Sequence, residues 1–301
     1  MDTDLDTLAT ALYVTVDDLL KTNPDQLPER PKVGIEPLIS DAEMIVLAVM
    51  QALLSYRSES RWLRRAHKDF HTMFPTLPRQ SGYNKRLRKL GCVMAWIITQ
   101  LAQQTSVFTD DVWIVDSTPI ECGHSRATVT TSNLAGWASY GYCASHSRWF
   151  WGLRLHLIST LHGLPIGWAV TSANLDERMI LTDLTDSLPN LDTPHTLLAD
   201  KGYRSHHLDT HLTNHNIDLI RPAVKNEPTR SGHEFLRPLR QTIESIFDTF
   251  KGQLDLENPG GYTPLGVLTR ITQRILALTA AIWNNDRQGL HPLRSLIAYD
   301  H

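Results

Sequence analysis

Asp111-Val112-Trp113-Ile114-Val115-Asp116-Ser117-Thr118-Pro119 decides how this 301-residue chain is read. Four β-branched or aromatic residues, bounded by polar residues and a proline, make a buried strand, and Asp116 closes it. Leu197-Leu198-Ala199 repeats the pattern and is closed by Asp200, ahead of Lys201-Gly202-Tyr203. Between them, Arg148 to Leu161 alternates with period two, with Trp149, Trp151, Leu153, Leu155 and Leu157 on one side. His162-Gly163 turns the chain into a third strand, Pro165 to Thr171. Asp176 to Leu188 reads as a helix, His195 to Ala199 as the fourth strand, Tyr203 to His215 as a helix and Ile217 to Arg221 as the fifth strand. Pro238 to Leu254 is helical, with proline tolerated in its first turn. Thr263-Pro264 is a cap-plus-first-turn pair opening a last helix through Leu268, Ile271, Ile275, Leu278 and Ile282.

The order β-β-β-α-β-α-β-α, an antiparallel meander followed by crossovers, predicts an α/β domain with a mixed five-stranded sheet and helices on both faces. In strand order 3-2-1-4-5 the first and fourth strands are parallel neighbours ~4.8 Å apart, which sets Asp116 beside Asp200.

Upstream of Asp111 the periodicity is helical. Ser40-Asp41-Ala42-Glu43 is a capping box opening an apolar run over Ile45, Val46, Val49, Met50, Leu53 and Leu54. A helix over about Glu59 to Phe70 follows. Phe74-Pro75-Thr76-Leu77-Pro78 is a rigid break, and Ser81 reads as the cap of a helix through Leu87, Leu90, Met94, Ile97 and Leu101. The expected layout is an acidic segment over 1–38, read as two short helices and a linker, then a small all-α domain over 39–108. The sheet domain covers 109–288 and a tail covers 289–301.

The formal net charge is −3, but it is unevenly spread. Met1 to Glu43 holds ten acids and three bases, −7, whereas Arg57 to Lys89 holds ten bases and two acids, +8. A basic stretch inside a near-neutral chain is a local footprint for phosphate, with a solvated helix face as the rival reading. Apolar content of 42% is ordinary for a globular protein. No apolar stretch reads as long enough to cross a bilayer, and the acidic N-terminus lacks a signal-peptide pattern. Cys92, Cys122 and Cys143 are scattered and odd in number, which suggests reduced thiols in a cytoplasmic setting. No phosphate-cradling loop is present, so no nucleotide cofactor is expected.

Two carboxylates in contact cannot both ionise at neutral pH unless a cation lies between them. Oxygen-only donors suit Mg²⁺. Glu244 supplies a third acid. Arg240, Glu244 and Lys251 stand at i, i+4 and i+11, within about 40° of one another on a helix, beside an apolar stripe of Ile243, Ile246, Phe250 and Leu254. Each piece has a plainer reading. Arg240 and Glu244 could be a solvated i,i+4 pair, Asp116 could cap a turn, and Asp200 could cap a helix.

Taken together, Asp116-Ser117-Thr118-Pro119, Ala199-Asp200-Lys201-Gly202-Tyr203 and Arg240-x3-Glu244-x6-Lys251 resemble the DDE transposases of bacterial insertion sequences. Upstream, Ser40 to Leu54, the Phe74–Pro78 break and Tyr83-Asn84-Lys85-Arg86-Leu87-Arg88 resemble the insertion-sequence group nine-eight-two. Gly152-Leu153-Arg154-Leu155-His156 and Ala173-Asn174-x-Asp176 fit the same core, so the likeness runs from Ser40 to Trp283. It implies a ribonuclease H-like fold and two Mg²⁺ ions, with Mn²⁺ able to substitute, held by Asp116, Asp200 and Glu244. The implied reaction frees a 3′-OH at each terminal inverted repeat and joins it to target DNA. The implied partner is double-stranded DNA, bound by a homodimer or larger assembly, and the implied location is the bacterial nucleoid.

Phosphate contacts are expected from Arg240 and Lys251, with Lys201 and Arg204 as further candidates. Inverted-repeat binding is expected from Arg61, Arg64, Arg65, Lys85, Arg86, Arg88 and Lys89, in a helix-turn-helix manner. A related branch has Tyr-x2-Arg-x3-Glu-x6-Lys on the helix. Here Arg237 stands at the tyrosine position, so no role of that tyrosine is carried over.

Other features are weighed more plainly. His207, His211 and His215 recur every four residues, a spacing that suits a metal but more simply a polar helix face. His156 reads as a hydrogen-bonded structural histidine. Trp137, Trp149 and Trp151 could stack on bases, with core packing the plainer role for the strand pair. The rival functions are a nuclease on the same core that cuts without joining, and a catalytically dead DNA-binding regulator.

Overall fold

The computed structural model describes residues 3–29, 37–143, 147–188, 193–224, 227, 232–256 and 260–299. In chain order the elements are α1 (Thr3–Thr22), α2 (Asp41–Leu53), α3 (Glu59–Asp69), α4 (Gln80–Lys89), α5 (Gly91–Gln103), β1 (Val112–Gly123), α6 (Arg126–Thr131), β2 (Ser139–Cys143), β3 (Arg148–Thr160), β4 (Pro165–Ser172), α7 (Glu177–Asp186), β5 (His195–Leu198), α8 (His206–Asn214), β6 (Ile217–Ile220), α9 (His233–Asp248) and α10 (Pro264–Gln288). They form two compact units, a helical one from residues 1–105 and 253–301 and a sheet-bearing one from residues 106–252.

The helical unit is built around α10. Thr263 caps it, accepting a 3.2 Å bond from the Gly266 amide, and Pro264 opens its first turn. It is apolar and buried on nearly every side, as a central helix must be, and it packs on α1, α2, α4 and α5. This corrects two expectations. The helix was read with the sheet domain of 109–288, but its partners are the N-terminal helices. It is also long and apolar enough to cross a membrane, which the chain was not expected to contain. Its apolar window is 83% buried inside the protein, so its apolar character is that of a core helix.

The acidic N-terminal segment forms a 20-residue helix followed by a three-residue 3₁₀ turn at Pro24–Gln26, where two short helices were expected. Leu5, Leu8, Leu12, Val16 and Leu20 keep a single buried stripe along α1. The linker read before Pro37 lies outside the described residues. The capping box of α2 is present as read. Ser40 Oγ accepts from the Glu43 amide (3.1 Å), and the Ser40 amide donates to Glu43 Oε2 (2.7 Å).

The helix read from Ser81 to Leu101 is two helices. The first starts at Gln80 after Arg79, without a side-chain cap, and both meet at Leu90. Gly91, with its low helix propensity, sits at the break. A buried polar network ties the unit together. Glu59 pairs with Arg270 and accepts from Asn84 Nδ2 (2.7 Å), while Gln51 Oε1 accepts from the Tyr83 hydroxyl (2.8 Å), Arg270 Nη1 (3.2 Å) and Gln273 Nε2 (3.2 Å).

The second unit is a mixed α/β sheet with flanking helices, the class expected from the order of its elements. Its spine is β3-β1-β5-β6, antiparallel at β1/β3 and parallel at β1/β5 and β5/β6. β2 pairs with residues 148–152 of β3 and β4 pairs with residues 153–159. β1 lies along residues 151–160 on the other edge of β3. β2 and β4 therefore follow one another along the same edge of β3.

The sheet has six strands where five were expected. β2 escaped the sequence reading because its hydrophobic alternation is inverted: Tyr140 and Tyr142 are exposed while Gly141 and Cys143 are buried. Glycine is required there, since a Cβ at 141 would lie 2.5 Å from the Ala173 carbonyl oxygen. β1 also outruns expectation. It continues past Asp116 to Gly123, because β3 offers partners that far and Thr118 and Ile120 are buried.

One face of the sheet packs on α7 and α8. Trp113, Val115, Leu197, Ala199, Ile217 and Leu219 meet Ile180, Leu181, Leu184, Leu208 and Leu212. By strand alternation Ile114 and Asp116 point to the opposite face. α9, which carries the buried Ile246 and Phe247, contacts β1.

Candidate active site

β1 and β5 are matched Val112 to Thr196, Trp113 to Leu197 and Ile114 to Leu198. Asp116 and Asp200 each lie two residues beyond the last matched pair, and the charge of Asp200 acts on the Asp116 carboxyl. The last turn of chain before each acid differs. Asp116 is inside a strand still held by β3, opposite Leu157. Asp200 has left β5 and caps the short 3₁₀ turn Lys201–Tyr203, its Oδ1 accepting a 2.7 Å bond from the Gly202 amide. Glycine at 202 keeps that carboxylate in place, because a Cβ there would come within 2.8 Å of Asp200 Oδ1.

Asp116 is electrostatically unusual. Burial pushes its carboxyl up to about 7, and the charges of Asp200 and Glu177 push the same way, while the Ser117 amide and Lys251 pull it down. The Ser117 amide donates to Asp116 Oδ1 at 2.7 Å. Burial also raises the Tyr203 phenol, and Glu177, Asp116 and Asp200 raise it further. The charges of Glu177, Asp116 and Asp200 thus all reach the buried Tyr203, with Glu177 itself paired to Arg154. Asp116 and Asp200 offer oxygen donors of the kind that suit a hard divalent cation such as Mg²⁺.

Glu177, which the sequence does not single out, is a further acid whose charge acts on Asp116 and Tyr203. It opens α7 directly after the N-cap Asp176. Its Oε1 accepts from the Ser117 hydroxyl (2.9 Å), and it is ion-paired with Arg154. Arg154 also donates to Ser117 Oγ (3.1 Å) and to the Tyr142 carbonyl (3.0 Å). The available signal was Arg154 inside Gly152–His156 and the acid next to Asp176, two motifs that were read separately.

Glu244 lies on α9, exposed, on the helix that contacts β1. The largest charges reaching Asp116 are those of Asp200, Glu177 and Lys251, so the structure gathers Asp116, Asp200, Glu177 and Lys251 as one electrostatic group. Lys251 does not continue α9 as expected. It sits in a single π-helical turn, Thr249–Gln253, a local widening of the kind found at functional sites. Arg240 is on α9, but its side chain lies outside the described residues. Lys201 and Arg204 are exposed.

In the helical unit Arg61, Arg64 and Arg65 are exposed on α3, with Arg65 paired to Asp69 at 2.5 Å, and Lys85 and Lys89 are exposed on α4. Arg88 is part-buried. Arg86 turns inward, bound to Asp41 and to the Ile39 carbonyl (2.7 Å), so its charge is engaged within the fold.

His156 is buried and bonded to Thr171 Oγ1 (2.9 Å), in line with its structural reading. The tryptophans divide: Trp151 is core, Trp137 is part-buried, and Trp149 is 69% exposed against Tyr142 with ring centroids 5.5 Å apart, so core packing does not account for Trp149.

The family model described as "Transposase DDE domain" matches residues 107–259, about half of the chain. No curated protein matches. One solved structure, a piggyBac transposase in a synaptic complex with hairpin DNA, is similar over 74% of this chain and 49% of its own, at 8% identity and a TM-score of 0.35. The chain thus spans about half the length of that protein.

Proposed function

The chain belongs to the DDE transposase family, and from that premise we propose that it cleaves DNA at the ends of a mobile element and joins the freed 3′-OH ends to a target. The observation that supports this reading is that the parallel pairing of β1 and β5 ends two residues before Asp116 and Asp200 respectively, with burial and nearby acids, Asp200 among them, pushing the Asp116 carboxyl up to about 7. A carboxyl whose burial and acidic neighbours oppose its ionisation is a cost that function would explain.

Asp116 and Asp200 would hold Mg²⁺ or Mn²⁺, with Glu244 as the third ligand that the family pattern supplies. The bound ions would activate the attacking oxygen and stabilise the leaving one. Asp200, fixed by the Gly202 amide, and Asp116, fixed by the Ser117 amide, position their oxygens before substrate arrives. Lys251 would neutralise the phosphate nearest Asp116, with Arg240, Lys201 and Arg204 along the backbone. Arg61, Arg64, Arg65, Lys85, Arg88 and Lys89 would grip the terminal inverted repeats. A bacterial insertion sequence of group nine-eight-two type, acting in the cytoplasm as a homodimer or larger assembly, is the finer form of the proposal.

The test is a duplex carrying the DNA that flanks the gene, incubated with protein and Mg²⁺. Nicking at a discrete end, abolished by Asp116→Asn while end binding persists, supports the reading. Nicking by that variant overturns it. A pre-cut end with a free 3′-OH, offered with supercoiled plasmid, separates a joining enzyme from a nuclease that only cuts.

A further inference from the structure

The histidines of α8, set aside from sequence as a polar face, meet an acid from another helix. His211 and His215, four residues apart on α8 and its C-cap, bring their rings within 4.5 Å of each other, centroid to centroid. Asp186, the last residue of α7, points at both: its Oδ1 lies 3.4 Å from His211 Nε2 and 3.2 Å from His215 Nε2. One ligating atom from each of the three residues lies within 4.8 Å of the others.

We propose that Asp186, His211 and His215 bind one transition-metal ion of the Zn²⁺ class, joining the end of α7 to the end of α8. The spacing is the main argument. Zinc bonds of about 2.0–2.1 Å in a tetrahedron put neighbouring ligand atoms about 3.3–3.4 Å apart. The two oxygen-to-nitrogen separations, 3.4 and 3.2 Å, are close to that value, and the remaining ligand pair lies within 4.8 Å, so side-chain rotation could bring all three onto one ion.

The donor types set the class of ion. Two imidazoles and one carboxylate select Zn²⁺, Ni²⁺, Cu²⁺ or Co²⁺ over Mg²⁺. The site is therefore chemically distinct from the all-carboxylate centre at Asp116. Three protein ligands leave a fourth position for water, and partial exposure of Asp186 and His215 gives the ion a way in.

One neighbour shares the ligating nitrogen. Thr185 Oγ1 lies 3.1 Å from His211 Nε2 and donates within its own helix, to the Leu181 carbonyl (3.0 Å) or the Thr182 carbonyl (2.9 Å). Its oxygen lone pair therefore faces the nitrogen that would ligate, and the ion would displace the proton and this contact together. The rival arrangement is a plain hydrogen-bonded His–Asp–His group. There both imidazoles donate to Asp186 Oδ1, which has lone pairs for both, and no metal binds; Co²⁺ titration separates the two arrangements.

The consequence reaches the acid centre through the two helices. α7 begins at Glu177 and α8 follows the Asp200 turn. An ion joining their far ends would hold both elements to a common frame.

The test uses the full chain, freed of metal by chelation and titrated with Co²⁺. One equivalent should give the visible ligand-field band of a tetrahedral site, and Zn²⁺ should displace it and raise Tm. His215→Ala and Asp186→Asn should each weaken Co²⁺ binding by about a hundredfold. His207→Ala, on an exposed neighbour, and Asp116→Asn should leave the band unchanged, which keeps this result separate from the fate of the transposase reading. In the wild-type chain, NMR should show Zn²⁺ shifting two histidine rings and no others. The proposal is overturned if no band forms at saturating Co²⁺, if the band survives Asp186→Asn in a folded protein, or if no histidine signal moves.

Discussion

Asp116 and Asp200 each follow by two residues the last matched pair of β1 and β5, Ile114 with Leu198, Asp116 still inside β1 and Asp200 just beyond β5, and the charge of Asp200 acts on the Asp116 carboxyl. The pair is held from opposite sides. β3 fixes the first through the strand ladder, and a glycine amide fixes the second.

Removing the charge of Asp116 should make the metal-free protein more stable. Its carboxyl titrates near 7 in the fold against an ordinary value of 3.8. The folded state therefore binds the extra proton between these values, and stability falls as pH rises from about 4 to 7. Asp116→Asn should raise Tm by about 5 °C at pH 8 without divalent metal, and the gain should vanish near pH 4. Mg²⁺ should raise the wild-type Tm and leave that of the variant unchanged. Differential scanning calorimetry with and without Mg²⁺ reads both, and equal Tm values at pH 8 would count against the acid cluster.

Gly202→Ala should impair the site while sparing the fold. The new methyl would meet the Asp200 carboxylate at 2.8 Å and turn it away. Because that neighbour is the mobile end of a side chain, the structure yields cheaply. We expect about a 10–100-fold loss of Mg²⁺ affinity, measured by calorimetric titration, with a Tm close to wild type.

Glu59→Ala should destabilise the helical unit by about 3–5 kcal/mol, since it strands the Arg270 guanidinium among buried side chains. Replacing both partners, Glu59→Leu with Arg270→Met, should recover most of that loss. Urea denaturation of the single and double variants measures the difference.

His156 should resist protonation. Burial, helped by the charge of Arg154, lowers its ring to about 4 from an ordinary 6.5. The unfolded chain takes up the proton first, so stability is complete above about 6.5 and drains away as pH falls toward 4, by about 3 kcal/mol at most. His156→Gln, which keeps a partner for Thr171, should flatten that part of the stability-against-pH curve.

The sheet could be read from the sequence because β1, β3 and β5 carry strong apolar runs and because crossovers follow a fixed hand. Asp116 and Asp200 were legible for the same reason: each closes such a run. Glu177 was not, because its place depends on Arg154 and Ser117, which converge only when β1, β3 and α7 assemble. Lys251 was expected on a regular helix, and the π turn that aims it leaves no mark in helical periodicity. The inward turn of Arg86 was hidden too, since its partner Asp41 lies 45 residues away. In α10 the apolar periodicity was plain, but periodicity does not say which core a helix will fill.

The helical unit draws on both ends of the polypeptide, and its central helix comes last. During translation, α2 and α5 leave the ribosome well before Pro264–Gln288, the partner that covers them, whereas every strand of the sheet has been made by residue 220. The sheet-bearing half can therefore finish folding while the other half waits for its keystone. A message truncated before Pro264 would yield a competent strand framework attached to helices with bare apolar flanks, a product prone to aggregation and ready for proteolysis.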